Sequence, residues 1–510
     1  MAPLKLFIFS IALAFVVIFS ISQFMAKGAQ SLGNTFYVSK TGNNSDGRSW
    51  NSAWNELNQI NWSLVSPGDI ILIDGGQSQM VYTSTLTLGK SGTSASPITI
   101  KLSDEAGRSG KAVIFGGRSQ PLGYCRQTNY VYQTSGVRDR GIQTGASSWV
   151  IIDGLKWAGI AIYGHNGNGI KLNSSSSNIT VRNVEVYDNG TWNSSEPDQP
   201  GIGLSGTNNT VERSIIHDNG QDAFQSGGGV SNFTLRQSWL YNERKNPSGV
   251  IWNNCTHSDG IQIYAGFEQS GLTIEDSIIG PGFMQGVLLG QSAYTDSTGT
   301  TRWAVLHDVT IRNSLWYGST NCNICDYANT QVKPRNWRIE NVISDRATDD
   351  TWHNIQFNGD PSQLTISNSI FYGGMNASVP AGGIYTGNIQ YNLSGTRVGM
   401  IVDPMYINTG AHGSSSTSAD FTLASSSPAK GKGSTITSSS SLLSQSIVVQ
   451  PLLTSTTSPT VSPTPSSTST PTLTPNPTNQ TAQKFTQRHS WKNANIMTIL
   501  RQLLFRSRSG

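Results

Sequence analysis

TVRNVEV at residues 180–186 returns as TVERSII at 210–216, TLRQSWL at 234–240, TIEDSII at 273–279, TIRNSLW at 310–316, RIENVIS at 338–344 and TISNSIF at 365–371. The leading apolar residues are Val181, Val211, Leu235, Ile274, Ile311, Ile339 and Ile366, spaced 24 to 39 residues apart. A second motif, small–apolar–x, interleaves with the first as NGIKL, PGIGL, DAFQS, DGIQIY, QGVLL, CNICD, NIQF and GGIYT. Its apolar centres are Ile170, Ile202, Phe224, Ile261, Val287, Ile324, Ile355 and Ile384. A repeating unit therefore holds two strands, with room for a third.

Such a unit is too small to bury its own apolar residues, whereas stacked units bury them as continuous columns. Successive coils then pair as parallel strands roughly 4.8 Å apart, and parallel crossovers are overwhelmingly right-handed. The predicted fold is all-β: a right-handed parallel β-helix, or β-solenoid, of about eight or more coils. A propeller needs antiparallel blades of about 40–45 residues, and a leucine-rich repeat needs a Leu/Asn consensus. Neither pattern is present.

The regions around the repeat divide the chain of 510 residues into a hydrophobic segment at 1–30, the β-helix domain at 31–434, a Ser/Thr/Pro-rich stretch at 435–482 and a basic tail at 483–510. The apolar run from Leu6 to about Met25, flanked by Lys5 and Lys27, has a length between that of a signal-peptide core and that of a spanning helix. Both a removed signal peptide and a retained membrane anchor fit it, and both imply export to the cell surface or beyond. The stretch SPTVSPTPSSTSTPTLTPNPT has little to bury and reads as a disordered stalk. Trp491, Ile496, Ile499, Leu500, Leu503 and Leu504 fall near helical spacing among basic residues, a pattern shared by a membrane-surface helix and a plain basic tail.

Composition agrees with export: 13% of residues are charged and 53 are glycine, a profile of an exported all-β protein more than of a cytosolic α/β enzyme. A formal net charge of +4, with no basic patch interleaved with aromatics, excludes nucleic acid as the expected partner. The chain reads as a monomer. Of the cysteines Cys125, Cys255, Cys322 and Cys325, the last two form a Cys-x-x-Cys that fits a local disulfide or a thiol pair better than zinc, which wants four ligands.

The opening TFYVSKTGNNSDGRSWNSAWNELNQINWSLVSPGDIILIDGG, the following PITIKLSDEAG…KAVIFGG and the closing VDPMYINTG…SADFTLASSSPAKGKGS resemble the first and last coils of secreted proteins with the pectate-lyase-like β-helix fold. The resemblance spans about residues 35–434. It implies a polysaccharide partner, but the superfamily it points to includes lyases, hydrolases, epimerases and non-catalytic tailspike-like or adhesin-like members. The polygalacturonase motifs Asp-Asp and Gly-His-Gly are absent from their expected places, and Arg338-Ile339-Glu340 stands where Arg-x-Lys is expected, so the resemblance does not extend to that reaction.

If the apolar centre of the second motif points inward, the next residue points outward. That column reads Lys171, Gly203, Gln225, Gln262, Leu288, Cys325, Gln356 and Tyr385. Two neighbouring coils, His217–Gln225 and His257–Tyr264, repeat Asp-x-apolar-Gln, which stacks Asp222 on Asp259 and Gln225 on Gln262. Two carboxylates that close call for a cation or a shared proton. This makes Asp222 and Asp259 candidates for a Ca²⁺ site or an acid/base pair. The competing expectation is that both serve only the backbone at turns, as Asp often does.

Gln225, Gln262 and Gln356 are candidates for binding sugar hydroxyls. Tyr264 and Trp252 are candidates for sugar rings, and His257 for proton transfer. An insertion between Leu235 and Ile261 carries Arg244 and Lys245, either of which could act as the base of a uronan lyase. The leading expectation is a lyase-type enzyme on acidic glycans. A non-catalytic carbohydrate-binding β-helix and a glycoside hydrolase or epimerase are the alternatives.

Overall fold

The computed structural model describes residues 33–444 apart from 120–132, 134, 191–198, 227–228, 243–257, 266–268, 292, 296–297, 304–305, 327–334, 346–352, 358–360, 374–375, 380–381, 393–395 and 409–416. The N-terminal apolar run, the basic tail and the stalk beyond residue 444 lie outside the described residues, as do Arg244, Lys245, Trp252 and His257. Among the described residues no helix is long and apolar enough to cross a membrane.

Each repeat contributes three strands, so the third strand left open by the motif spacing is present. In one coil, Ile170–Lys171 belongs to sheet III, Ser177–Arg182 to sheet I and Val184–Tyr187 to sheet II. Every coil repeats this order, and the three sheets hold 13, 12 and 10 strands for I, II and III. All pairs within them are parallel, and the connections wind right-handed; the fold is a right-handed parallel β-helix. Coiling starts well before the recognisable repeats, at Thr35–Val38 paired with Ile70–Ile73.

The first motif holds its register without a slip. Val181, Val211, Leu235, Ile274, Ile311, Ile339 and Ile366 are Cα partners in sequence, all buried. The second column runs Ile170, Ile202, Phe224, Ile261, Val287, Ile324, Ile355 in sheet III. Ile384 departs from the expectation: it pairs with Thr365 in sheet I and is 56% exposed, while Ala377 follows Ile355 in sheet III. Tyr385, its neighbour, leaves the expected outward column with it. The final coil is short, and the small–apolar pattern there marks a different corner.

The polar half of the first motif has a physical basis. Its third residue turns the chain from sheet I to sheet II in a single left-handed step: Asn183, Arg213, Gln237, Asp276, Asn313, Asn341 and Asn368 all have φ between 44° and 59°. Asn and Asp tolerate this conformation better than other L-residues. A serine follows in five of the seven coils (Ser214, Ser238, Ser277, Ser314 and Ser369); it is fully buried, and its hydroxyl donates to the carbonyl two residues earlier, as Ser238 Oγ does to Arg236 O at 2.8 Å. The same oxygen accepts the N–H of the coil before, Ser214 N at 3.2 Å, and Ser277 repeats the arrangement with Ser238 N at 3.1 Å. The backbone donors of Val184, Ser214, Ser238, Ser277 and Val342 thus each find a serine hydroxyl one coil away.

Sheet II carries a second core on its outer side. Trp239, Ile278, Leu315, Ile343, Ile370 and Ile389 stand in register there and are covered by Tyr406, Ala419, Phe421, Ala429 and Leu443 from the C-terminal arm. The arm is pinned to the left-handed corner, where Thr435 N donates to Asn313 Oδ1 at 2.7 Å.

A candidate binding face on sheet III

The outer column of sheet III is assembled as alternation predicts, and it starts two coils earlier. Thr87, Gln143, Lys171, Gly203, Gln225, Gln262, Leu288, Cys325 and Gln356 are successive Cα partners. Its polar part is linked side chain to side chain. Gln143 Nε2 donates to Thr87 Oγ1 at 2.9 Å, Arg140 Nη1 to Gln143 Oε1 at 3.4 Å, and Gln225 Nε2 to Gln262 Oε1 at 2.6 Å. Leu288 and Cys325 interrupt it, so Gln356 lies three coils from Gln262, roughly 14 Å away. Cys325 is bonded to Cys322, which resolves the Cys-x-x-Cys as a disulfide.

Lys171 stands in the expected outward column but was not among the candidate site residues. Among the described residues its Nζ has no hydrogen-bond or ion-pair partner. Burial, and then the Arg140 guanidinium, hold its pKa below that of an ordinary lysine. Both effects disfavour the charged amine. The side chain lies across Gly203 on the next coil: a Cβ built there would sit 2.9 Å from Lys171 Cδ and 3.1 Å from Lys171 Nζ. Lys171 stood in the expected outward column, but its low basicity comes from neighbours that only the stacking supplies.

Asp222 and Asp259 occupy successive coils as expected, on the inward side of the strand. Both are buried. Asp222 Oδ1 accepts Asp259 N at 2.7 Å, and Asp259 Oδ1 accepts Gln285 N at 3.0 Å. Asp222 precedes the inward Phe224 by two positions and shares its burial. The pair caps backbone donors of the next coil, which is the competing expectation at turns. Calcium needs about six to eight oxygens, and among the described residues no group of three or more His, Cys, Asp or Glu is placed to hold a metal. One oxygen of each carboxylate is taken by a backbone N–H. Tyr264 lies in the strand Ile261–Ala265, and its side chain is outside the described residues.

A second polar cluster lies on sheet II. His217 stacks between Tyr187 and Tyr241, with ring centroids 5.0 and 4.7 Å away, in a ladder that continues through Tyr163 to Phe115. Burial pushes the imidazole pKa down, but hydrogen bonds to Asp218 and Glu185 outweigh it and hold it at about 9. The ring faces of this ladder are occupied by one another, so it offers a ligand only edges.

No protein-family model and no curated protein matches the chain. Among solved structures the chain is similar to the pectate lyase Pel9A, at 16% identity and TM-score 0.46 over 78% of this chain and 92% of that one. It is similar to a rhamnogalacturonan lyase at 13% identity and TM-score 0.43, covering 74% and 91%. It is also similar to the alginate lyase from Paenibacillus sp. str. FPU-7, at 15% identity and TM-score 0.36, covering 66% and 97%. At such scores the fold rests on the strand pairing described above. Pairing and face together define a parallel β-helix with a mixed cationic and amide outer surface on one sheet.

Proposed function

We propose that this protein is exported and acts on acidic polysaccharide by β-elimination at the outer face of sheet III. The observation that carries the reading is Lys171: a partly buried amine of lowered basicity, without a partner among the described residues, set between Arg140 and the Gln225–Gln262 pair. A uronan lyase needs a group to offset the uronate carboxylate and a base for the proton on the adjacent carbon. Arg140 supplies the first, and Lys171, whose amine is made easier to deprotonate by burial and then by Arg140, supplies the second. The amine takes the proton, the C–H electron pair forms the new double bond, and the glycosidic C–O bond on the neighbouring carbon breaks. The departing sugar oxygen is then protonated. Gln225 and Gln262 hydrogen-bond the hydroxyls of adjoining sugars.

Binding without turnover is the second reading, favoured by the Gln225–Gln262 bond, since stacked amides also serve as solenoid staples. Hydrolysis needs two carboxyl groups flanking the scissile bond, and Asp222 and Asp259 are turned to the backbone instead. The apolar run Leu6 to Met25 and the stalk support export and surface display.

The test is incubation of the full chain with polygalacturonate, alginate and rhamnogalacturonan, following the ultraviolet absorbance of an unsaturated uronate. The expected result is a rise with at least one substrate that Lys171→Ala abolishes. Reducing ends without unsaturation would replace elimination by hydrolysis, and binding without product would replace it by adhesion.

A further inference from the structure

The outer column of sheet III bears a side chain at every position from Thr87 to Gln356 except one, Gly203. The backbone does not require glycine there, because Gly203 is not among the residues of positive φ. The requirement is space: a Cβ at Gly203 would lie 2.9 Å from Lys171 Cδ, 3.1 Å from Lys171 Nζ and 3.1 Å from Asn168 Oδ1. Asn168 is 5% exposed, and its Nδ2 donates to Pro200 O at 3.2 Å. That bond fixes the amide so that its oxygen, an acceptor, is the atom turned toward the space the lysine occupies.

We propose that Gly203 and Asn168 are positioning residues for Lys171, which lay its side chain along the solenoid axis and hold the amine between Arg140 and Gln225. The reaction assigned to the amine rests on the reading above, whereas the positioning does not. An outward residue with a Cβ on coil 203 would push the lysine upright into solvent, away from the buried surroundings that lower its basicity. The empty place left by Gly203 also gives the face its polarity. A cation lies on one side of the amine and neutral amides on the other, so the acidic sugar is the one bound toward Arg140.

The test uses the full-length protein with its lysines reductively dimethylated with ¹³C, a change that keeps the charge. The Lys171 resonance is assigned by its loss in Lys171→Arg. In the parent protein Lys171 titrates below the other lysines. Gly203→Ala moves it back toward the ordinary lysine range by roughly one pH unit as solvent returns, and Asn168→Asp raises it by placing a carboxylate beside the amine. The base limb of the elimination pH profile moves in step, with kcat changing more than KM. Melting curves establish that each variant is folded, and Asn168→Asp stands if Gly203→Ala does not fold. An unchanged Lys171 titration in the folded variants overturns the proposal. The same shifts in a protein that yields no unsaturated product would sink the lyase reading and leave the positioning intact.

Discussion

Arg236 Nε donates to Glu212 Oε2 at 2.6 Å across one coil, and this pair is one rung of a ladder of alternating charge. In register along sheet I stand Asp153, Arg182, Glu212, Arg236, Glu275, Arg312 and Glu340. A slip by one coil would set like charges opposite one another, which destabilises. The alternation therefore helps specify which coil stacks on which.

Because Arg236 is half exposed, its individual ion pairs are worth little, about 0–1 kcal/mol. Arg236→Ala is expected to change stability by less than about 1 kcal/mol, whereas Arg236→Glu places three acidic residues in succession and costs more. Urea unfolding of the two variants checks this; equal effects would remove the ladder's role in register.

Asp222→Ala leaves the buried N–H of Asp259 without its acceptor, an expected loss of about 1–3 kcal/mol. Asp222→Asn keeps an oxygen there and costs less. Chelator leaves the melting temperature of the parent protein unchanged. A melting point that rises with added calcium, and fails to rise in Asp259→Asn, would reinstate a metal at this pair.

Phe421 is fully buried between the C-terminal arm and sheet II, with its ring 5.1 Å from that of Tyr317. Phe421→Ala is expected to cost about 3–5 kcal/mol and to detach the arm, since the apolar column beneath it has no other cover among the described residues. Faster hydrogen exchange confined to residues 403–443 and the outer side of sheet II is the readout.

His217 makes stability depend on pH in the alkaline range. Its pKa is about 9 in the folded chain and about 6.5 when unfolded, so its contribution is complete below pH 6.5 and disappears as pH rises through 9. The expected loss is on the order of 3 kcal/mol. His217→Gln flattens this limb of the stability curve and shifts the acid limb too, because burial alone would raise the Glu185 carboxyl and it is His217, ahead of Lys111, that brings it down to about 2. A His217→Gln protein that loses stability between pH 6.5 and 9 as the parent does would refute the assignment.

Much of the fold was legible because a solenoid repeats its physics at every coil. Val181 and Val211 lie 30 residues apart in the chain and are neighbours in the sheet, and spacing alone places them so. The charge ladder was not read from the sequence, although the residue after each leading apolar position alternates Arg, Glu, Arg, Glu, Arg, Glu from Arg182 to Glu340. The site was legible only in part. Alternation placed Gln225, Gln262 and Lys171 on one face and stacked Asp222 on Asp259, but it did not decide between a cation or acid/base pair and the backbone of the next coil, which their Oδ1 atoms serve.

What the sequence determined by itself is the stacking: apolar columns, a left-handed Asn or Asp corner with its serine, and alternating charges recur at intervals that admit one register. What only the tertiary structure decided is the environment of individual side chains. Lys171 has a lowered pKa because burial and then the Arg140 guanidinium act on it, and Trp239 or Leu315 belongs to a core because residues of the C-terminal arm fold back over it. Register follows from a local pattern repeated many times. Burial and electrostatic coupling depend on which distant residues arrive at the same place, and no periodicity encodes that.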